Sequence, residues 1–171
     1  MIKQYPQFFT ATILKWRRLL APEKYKFIII ESLKFLVENE RVILYCFVIM
    51  PNHIHLIWQM KGDTKASDVQ RDFLKYTAQQ IKFDLIKSRP EFLMKFKVDA
   101  KDREFQIWKY RSLSKTVRNA EIFKQKLKYI HNNPLQKHWK LADKPENYSY
   151  SSARFYLMHD NTFGFLSHYQ G

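Results

Sequence analysis

Two histidines separated by one residue, His53 and His55, and a tyrosine four residues ahead of an asparagine, Tyr129 and Asn133, are the side chains whose types and spacing suit chemistry. On an extended strand the two imidazoles project to one side while Ile54 and Leu56 project to the other. Neutral imidazole nitrogens bind Mn²⁺, Zn²⁺ and similar ions, but two ligands cannot hold a metal and a third is required. In Phe123-Lys-Gln-Lys-Leu-Lys-Tyr-Ile-His-Asn-Asn133 the residues Phe123, Leu127 and Ile130 form an apolar helical stripe. Tyr129 and Asn133 then share a face with Lys126 one turn earlier. A phenol able to attack, an amide oxygen able to ligate and an ammonium able to pair with phosphate would line one surface. Each feature has a plainer alternative: a His-x-His pair on a solvated strand face, a tyrosine at the rim of the core, and Asn132 and Asn133 as helix-ending residues ahead of Pro134.

The elements that must position these residues follow from periodicity. Residues 7 to 13 are aromatic and β-branched and predict a strand. Tyr25, Ile28, Ile29, Leu33 and Leu36 recur at helical spacing from Pro22 to about Glu38. Val42 to Met50 is a nearly continuous apolar run, joined by a tight Pro51-Asn52 step to His53-Ile-His-Leu-Ile-Trp-Gln-Met60, as in a hairpin with both faces covered. Val69, Phe73, Thr77, Ile81 and Leu85 predict a second helix, with Ser67 as its N-cap. The charged stretch from Ser88 to Asp102, containing Pro90, reads as a loop. Glu104-Phe-Gln-Ile-Trp-Lys-Tyr110 alternates and predicts a fourth strand. A third helix runs from Asn119, its N-cap, to Asn132. The order is βαββαβ, which predicts an α+β, ferredoxin-like antiparallel sheet with helices on one face and an extra C-terminal helix carrying Tyr129. The tail from about Leu135 is basic and aromatic, without a clear period until Ser151 to Met158.

Lys and Arg number 30 against 16 Asp and Glu, giving a formal charge of +14 and favouring a polyanionic partner, nucleic acid first. Lys15, Arg17, Arg18, Lys75, Lys124, Lys126, Lys128, Lys137 and Lys140 are the candidates to track a phosphate backbone. Glycine occurs only at Gly62, Gly164 and Gly171, so no glycine-rich loop exists to cradle a nucleotide, and neither Rossmann nor P-loop readings survive. The lone Cys46 lies in an apolar run and permits no intrachain disulfide. No apolar run approaches the roughly 20 residues of a membrane span, and Met1-Ile-Lys-Gln-Tyr-Pro6 lacks leader character, so the expectation is one cytoplasmic domain over residues 1–171.

Phe47-Val-Ile-Met-Pro-Asn-His-Ile-His-Leu56 resembles the histidine-hydrophobic-histidine motif of single-tyrosine (HUH) transposases, in the form typical of their REP-associated tyrosine transposase branch. Arg71-Asp-Phe-Leu-Lys-Tyr-Thr77, Trp108 in Gln106-Ile-Trp-Lys109, Tyr129-Ile-His-Asn-Asn-Pro134 and Tyr148-Ser-Tyr-Ser-Ser-Ala153 resemble the same branch in the same order. The chain departs from the pattern after Pro134, where Leu135-Gln-Lys-His-Trp139 replaces a small, glycine-containing stretch. The resemblance implies His53, His55 and Asn133 as ligands of Mg²⁺ or Mn²⁺, and Tyr129 as a nucleophile forming a 5′-phosphotyrosine. It also implies single-stranded or hairpin DNA as substrate, no nucleotide cofactor, and a monomer or a homodimer. Two other readings fit the residues: a replication initiator or relaxase, which usually carries further domains, and a catalytically silent hairpin DNA or RNA binder of the same fold.

Overall fold

The computed structural model describes residues 3–171; Met1 and Ile2, the start of the segment expected to lack leader character, lie outside them. Strand β1 (Gln7–Thr12) leads through a short turn to helix α1 (Glu23–Glu38), then to the hairpin of β2 (Val42–Ile49) and β3 (His53–Met60). Helix α2 (Ala66–Ser88), a one-turn helix α3 (Pro90–Leu93), strand β4 (Leu113–Thr116), helix α4 (Ala120–Asn132) and a short α5 (Ala153–Leu157) follow. The sheet order is β2-β3-β1-β4, antiparallel throughout, so β1, α1 and β2 form a split crossover with β3 inserted between the strands. This is the ferredoxin-like sheet that the sequence predicts.

Strand alternation divides the interior in two. Phe9, Ala11, Ile54, Leu56 and Trp58 point to one face, where α1 and α2 cover them with Ile29, Leu33, Phe73 and Ile81. Phe8, Cys46, Val48 and Ile57 point to the other face, where α4 lays down Phe123 and Ile130. Each buried ring or branched chain stabilises the fold by roughly 1.5–3 kcal/mol relative to exposure, so the register that keeps both sets inside is strongly favoured. A bulge between Leu44 and Cys46 shifts the β2–β3 register.

Three sequence expectations need correction. The fourth strand is Leu113–Thr116, not Glu104–Tyr110. The latter segment makes only isolated bridges, Lys97 with Phe105 and Ile13 with Trp108. Its adjacent Ile107 and Trp108 are both buried, and Trp108 Nε1 donates to Thr77 Oγ1 of α2 at 3.0 Å. Packing against a helix, rather than a pleated ladder, produced the alternation. The actual β4 is exposed along its length and carries no apolar signal, because it is an edge strand held by its pairing to β1. The stretch read as a loop after Ser88 contains α3, started by Pro90 at its first turn, and buries Leu93 and Phe96. Helix α2 starts one residue before Ser67 and is preceded by Lys65, with no side-chain cap. Asn119, by contrast, caps α4 by accepting from Ile122 N at 2.8 Å.

The C-terminal tail closes the β2 edge. Ile49 N donates to Tyr150 O, Ser152 N to Phe47 O, and Ser167 N to Leu44 O, while Ser152 Oγ accepts from Phe47 N. Tyr148 Oη donates to Ile49 O at 2.5 Å. The motif Tyr148-Ser-Tyr-Ser-Ser-Ala153 is thus a strap along the outer strand.

Candidate active site

Strand β3 begins at His53, directly after the Pro51-Asn52 turn, and lies between β1 and β2. His53 and His55 share the sheet face that α4 crosses, with ring centroids 4.8 Å apart. Each imidazole is oriented through Nδ1. His53 Nδ1 lies 2.7 Å from Asn52 Oδ1, and His55 Nδ1 lies 2.7 Å from Thr10 Oγ1, its partner across the β1–β3 ladder.

Burial holds His53 below the usual imidazole range, opposed by the Asn133 contact and reinforced by His138. His55 is pushed down to about 3, by burial first, then by His53 and Lys126. Both rings are therefore neutral near pH 7. Both partners of His53 are amide oxygens, which only accept, and a neutral ring carries one N–H; the shorter contact, 2.7 Å to Asn52, takes it, and Nε2 keeps a lone pair. That lone pair meets Asn133 Oδ1 at 3.1 Å. Two acceptors face one another across a gap that a cation would bridge, with the outer partners already fixing ring orientation. Among the described residues no group of three His, Cys, Asp or Glu side chains converges on a metal. The donor set available to the imidazoles is completed by an amide oxygen, which suits Mg²⁺ or Mn²⁺.

Asn133 directly follows the last residue of α4 and is 2 % exposed, whereas Tyr129, one turn earlier, is 45 % exposed. The Tyr129 ring sits edge-on to His55 at 5.3 Å and to Phe8 at 6.2 Å. Phe8 in turn stacks on His55 at 5.4 Å. Lys126 Nζ lies 4.8 Å over the Phe8 ring and 6.0 Å over that of Tyr129. The helix face read from sequence thus meets the strand pair within one chain. These groups line a cleft of about 670 Å³ that also includes Trp16, Gln136, His138 and Trp139.

The other predicted nucleic-acid contacts scatter. Arg18 lies at the cleft, its guanidinium 5.1 Å over the Trp139 ring. Lys137 is exposed beside the cleft residues Gln136 and His138. Arg17 packs 6.0 Å over Phe96, with its Nε buried and unpartnered. Lys75 is exposed on α2, which covers the opposite face of the sheet. Sequence reasoning missed Asn52, Thr10, Phe8, Trp16 and Trp139. Asn52 was visible as the residue before the histidine pair, but Thr10 and Phe8 become legible only once the β1–β3 register is known.

A second polar cluster, Cys46, His131 and Ser152, is sealed beneath α4. His131 Nε2 lies 2.8 Å from Ser152 Oγ and 3.4 Å from Cys46 Sγ. Burial pushes the thiol up and His131 down to about 4, which leaves an inert packing cluster rather than an activated nucleophile. A cleft of about 690 Å³ between α1 and α2, lined by Phe27, Phe35 and Tyr76, lies on the sheet face away from the imidazoles.

No protein-family model matches the chain, and no curated protein matches it by sequence. Solved structures do. A REP-associated tyrosine transposase bound to a REP hairpin superposes with a TM-score of 0.67 at 20 % identity, over 97 % of this chain and 84 % of that one. A candidate transposase from Deinococcus radiodurans R1 superposes with a TM-score of 0.51 at 14 % identity, over 77 % of this chain and 92 % of that one. The fold is shared with both.

Proposed function

We propose that this chain is a DNA strand transferase that cleaves and rejoins single-stranded or hairpin DNA through Tyr129. The observation that carries the reading is the approach of the Tyr129 ring to 5.3 Å from His55, on a helix that also brings Asn133 to 3.1 Å from His53. The fold shared with a hairpin-bound transposase supports hairpin DNA as the substrate class.

His53 and His55, through their Nε2 atoms, and Asn133, through Oδ1, would hold Mg²⁺ or Mn²⁺. Bound there, the ion would screen the charge of the scissile phosphate and orient its oxygens. Tyr129 supplies the nucleophile: its oxygen forms a bond to phosphorus as the bond to the 3′-oxygen breaks. The phenol proton is lost, and the leaving oxygen takes one up to become a free 3′-hydroxyl. Lys126, its Nζ 6.0 Å from the centre of the Tyr129 ring, would pair with the charge of the phosphate. The product is a 5′-phosphotyrosine. Attack by another 3′-hydroxyl reverses the step and joins strands, and the bond energy retained in the ester makes a nucleotide cofactor unnecessary. Tyr129 acts with the histidines of its own chain, so a monomer suffices for cleavage.

Incubation of a 5′-quenched, 3′-labelled hairpin oligonucleotide with the protein and Mn²⁺ tests this. A denaturation-resistant protein–DNA adduct is expected, abolished in Tyr129→Phe and in His55→Ala and restored by neither excess metal nor time. Tight hairpin binding with no adduct under Mg²⁺ or Mn²⁺ would reassign the chain as a silent binder.

A further inference from the structure

Strand cleavage leaves one wall of the cleft without a task. Trp16 lines it and is 60 % exposed. Its backbone is left-handed at φ 57°, and so is that of Lys15 before it at φ 55°. Residues with a Cβ rarely adopt that region, and two in succession persist only where the surroundings enforce it, which happens preferentially at functional sites. The enforcing contacts are visible. Trp16 N donates to Ile13 O, Ile13 N donates to Asn52 O at 2.8 Å, and Asn52 Nδ2 donates to Trp16 O at 3.3 Å. The same Asn52 side chain accepts from His53 Nδ1. One amide therefore ties the tryptophan turn to a proposed metal ligand.

Trp139 closes the cleft from the segment after α4, its ring 6.1 Å from that of His53. A cation attends each indole: Lys109 Nζ lies 5.5 Å over Trp16, and the Arg18 guanidinium 5.1 Å over Trp139. An open indole with a cation beside it suits a nucleotide, because the base stacks on the ring while its phosphate pairs with the cation. A base inside a duplex has no free face to offer.

We propose that Trp16 and Trp139 form a nucleobase subsite, which seats an unpaired base of the strand next to the scissile phosphate, in a register to His53 set by Asn52. The subsite rests on the strand-transfer reading for its substrate class, and it adds how a single strand is told from a duplex.

Trp58 and Trp108 are buried, so fluorescence quenching reports on the two cleft indoles. The probe is an oligothymidylate of about eight nucleotides, added in the presence of chelator so that no metal contributes. Quenching is expected in the unmodified protein. Trp16→Ala should weaken binding about tenfold, and Trp16→Phe, which keeps a ring, should recover most of the loss. An abasic strand of equal length should bind more weakly and respond to neither substitution. The proposal is overturned if Trp16→Ala and Trp139→Ala both bind oligothymidylate like the unmodified protein, or if the abasic strand loses as much affinity as the base-bearing one. Adduct formation measured in parallel separates the two readings. Indole-dependent binding without an adduct keeps the subsite and removes the strand transfer, and adducts with indole-independent binding do the opposite.

Discussion

At the scale of single residues, the site depends on groups that never reach the substrate. Thr10 and Asn52 each fix one imidazole through Nδ1, and partners of that kind typically govern metal affinity by 10–100-fold. Thr10→Val keeps the shape of the strand and removes the hydroxyl; titration with Mn²⁺ followed by electron paramagnetic resonance should show affinity falling roughly 10–100-fold. His131 offers a separate, purely structural reading of pH. Its folded value of about 4 lies below the unfolded value near 6.5, so the unfolded chain binds the extra proton between them. The stabilisation is complete above pH 6.5 and is lost as pH falls towards 4. Guanidinium unfolding from pH 6 to 4.5 should show His131→Asn with a pH slope shallower by about 1 kcal/mol per pH unit than the unmodified chain. An unchanged slope would mean that His131 is not buried in its neutral form.

Among the elements, α4 bears the most consequence, since one helix delivers Tyr129, Lys126 and Asn133. Its N-terminus is held by the Asn119 cap, and Asn119→Ala should lower stability by about 1 kcal/mol, read as a lower urea midpoint at unchanged slope. This helix was legible in the sequence because its stripe, cap and following proline agree with one another. The hairpin of β2 and β3 was legible for the same reason, with its long apolar run punctuated by Pro51-Asn52. The fourth strand was not. Leu113–Thr116 has an exposed, polar sequence and is a strand only because Gln7–Thr10 offers it a ladder. Trp108 misled in the opposite direction, since its burial comes from Thr77 on a distant helix. In the site, the histidine pair and the Tyr129 face could be read from local periodicity. Thr10, Phe8 and the two cleft tryptophans could not, because cross-strand register and loop path are tertiary facts.

For the whole molecule, charge and architecture act together. The net charge of +14 favours a polyanion, and the cleft that holds the imidazoles lies on one face of the sheet. Single-strand affinity should fall with salt, and each phosphate contact removed should reduce the logarithmic slope by about 0.7. Fluorescence anisotropy from low to moderate salt should show that reduction for Arg18→Ala and Lys126→Ala. Lys75→Ala, on the far side of the sheet, should leave the slope unchanged. The strap of Tyr148 to Ser152 along β2 has a different consequence. By occupying the amide and carbonyl groups of the outer strand, it denies a neighbouring chain the template for adding its own strand, and the opposite border at β4 is short and bears Lys115. The two borders at which sheets polymerise are thereby closed to fibrous self-association.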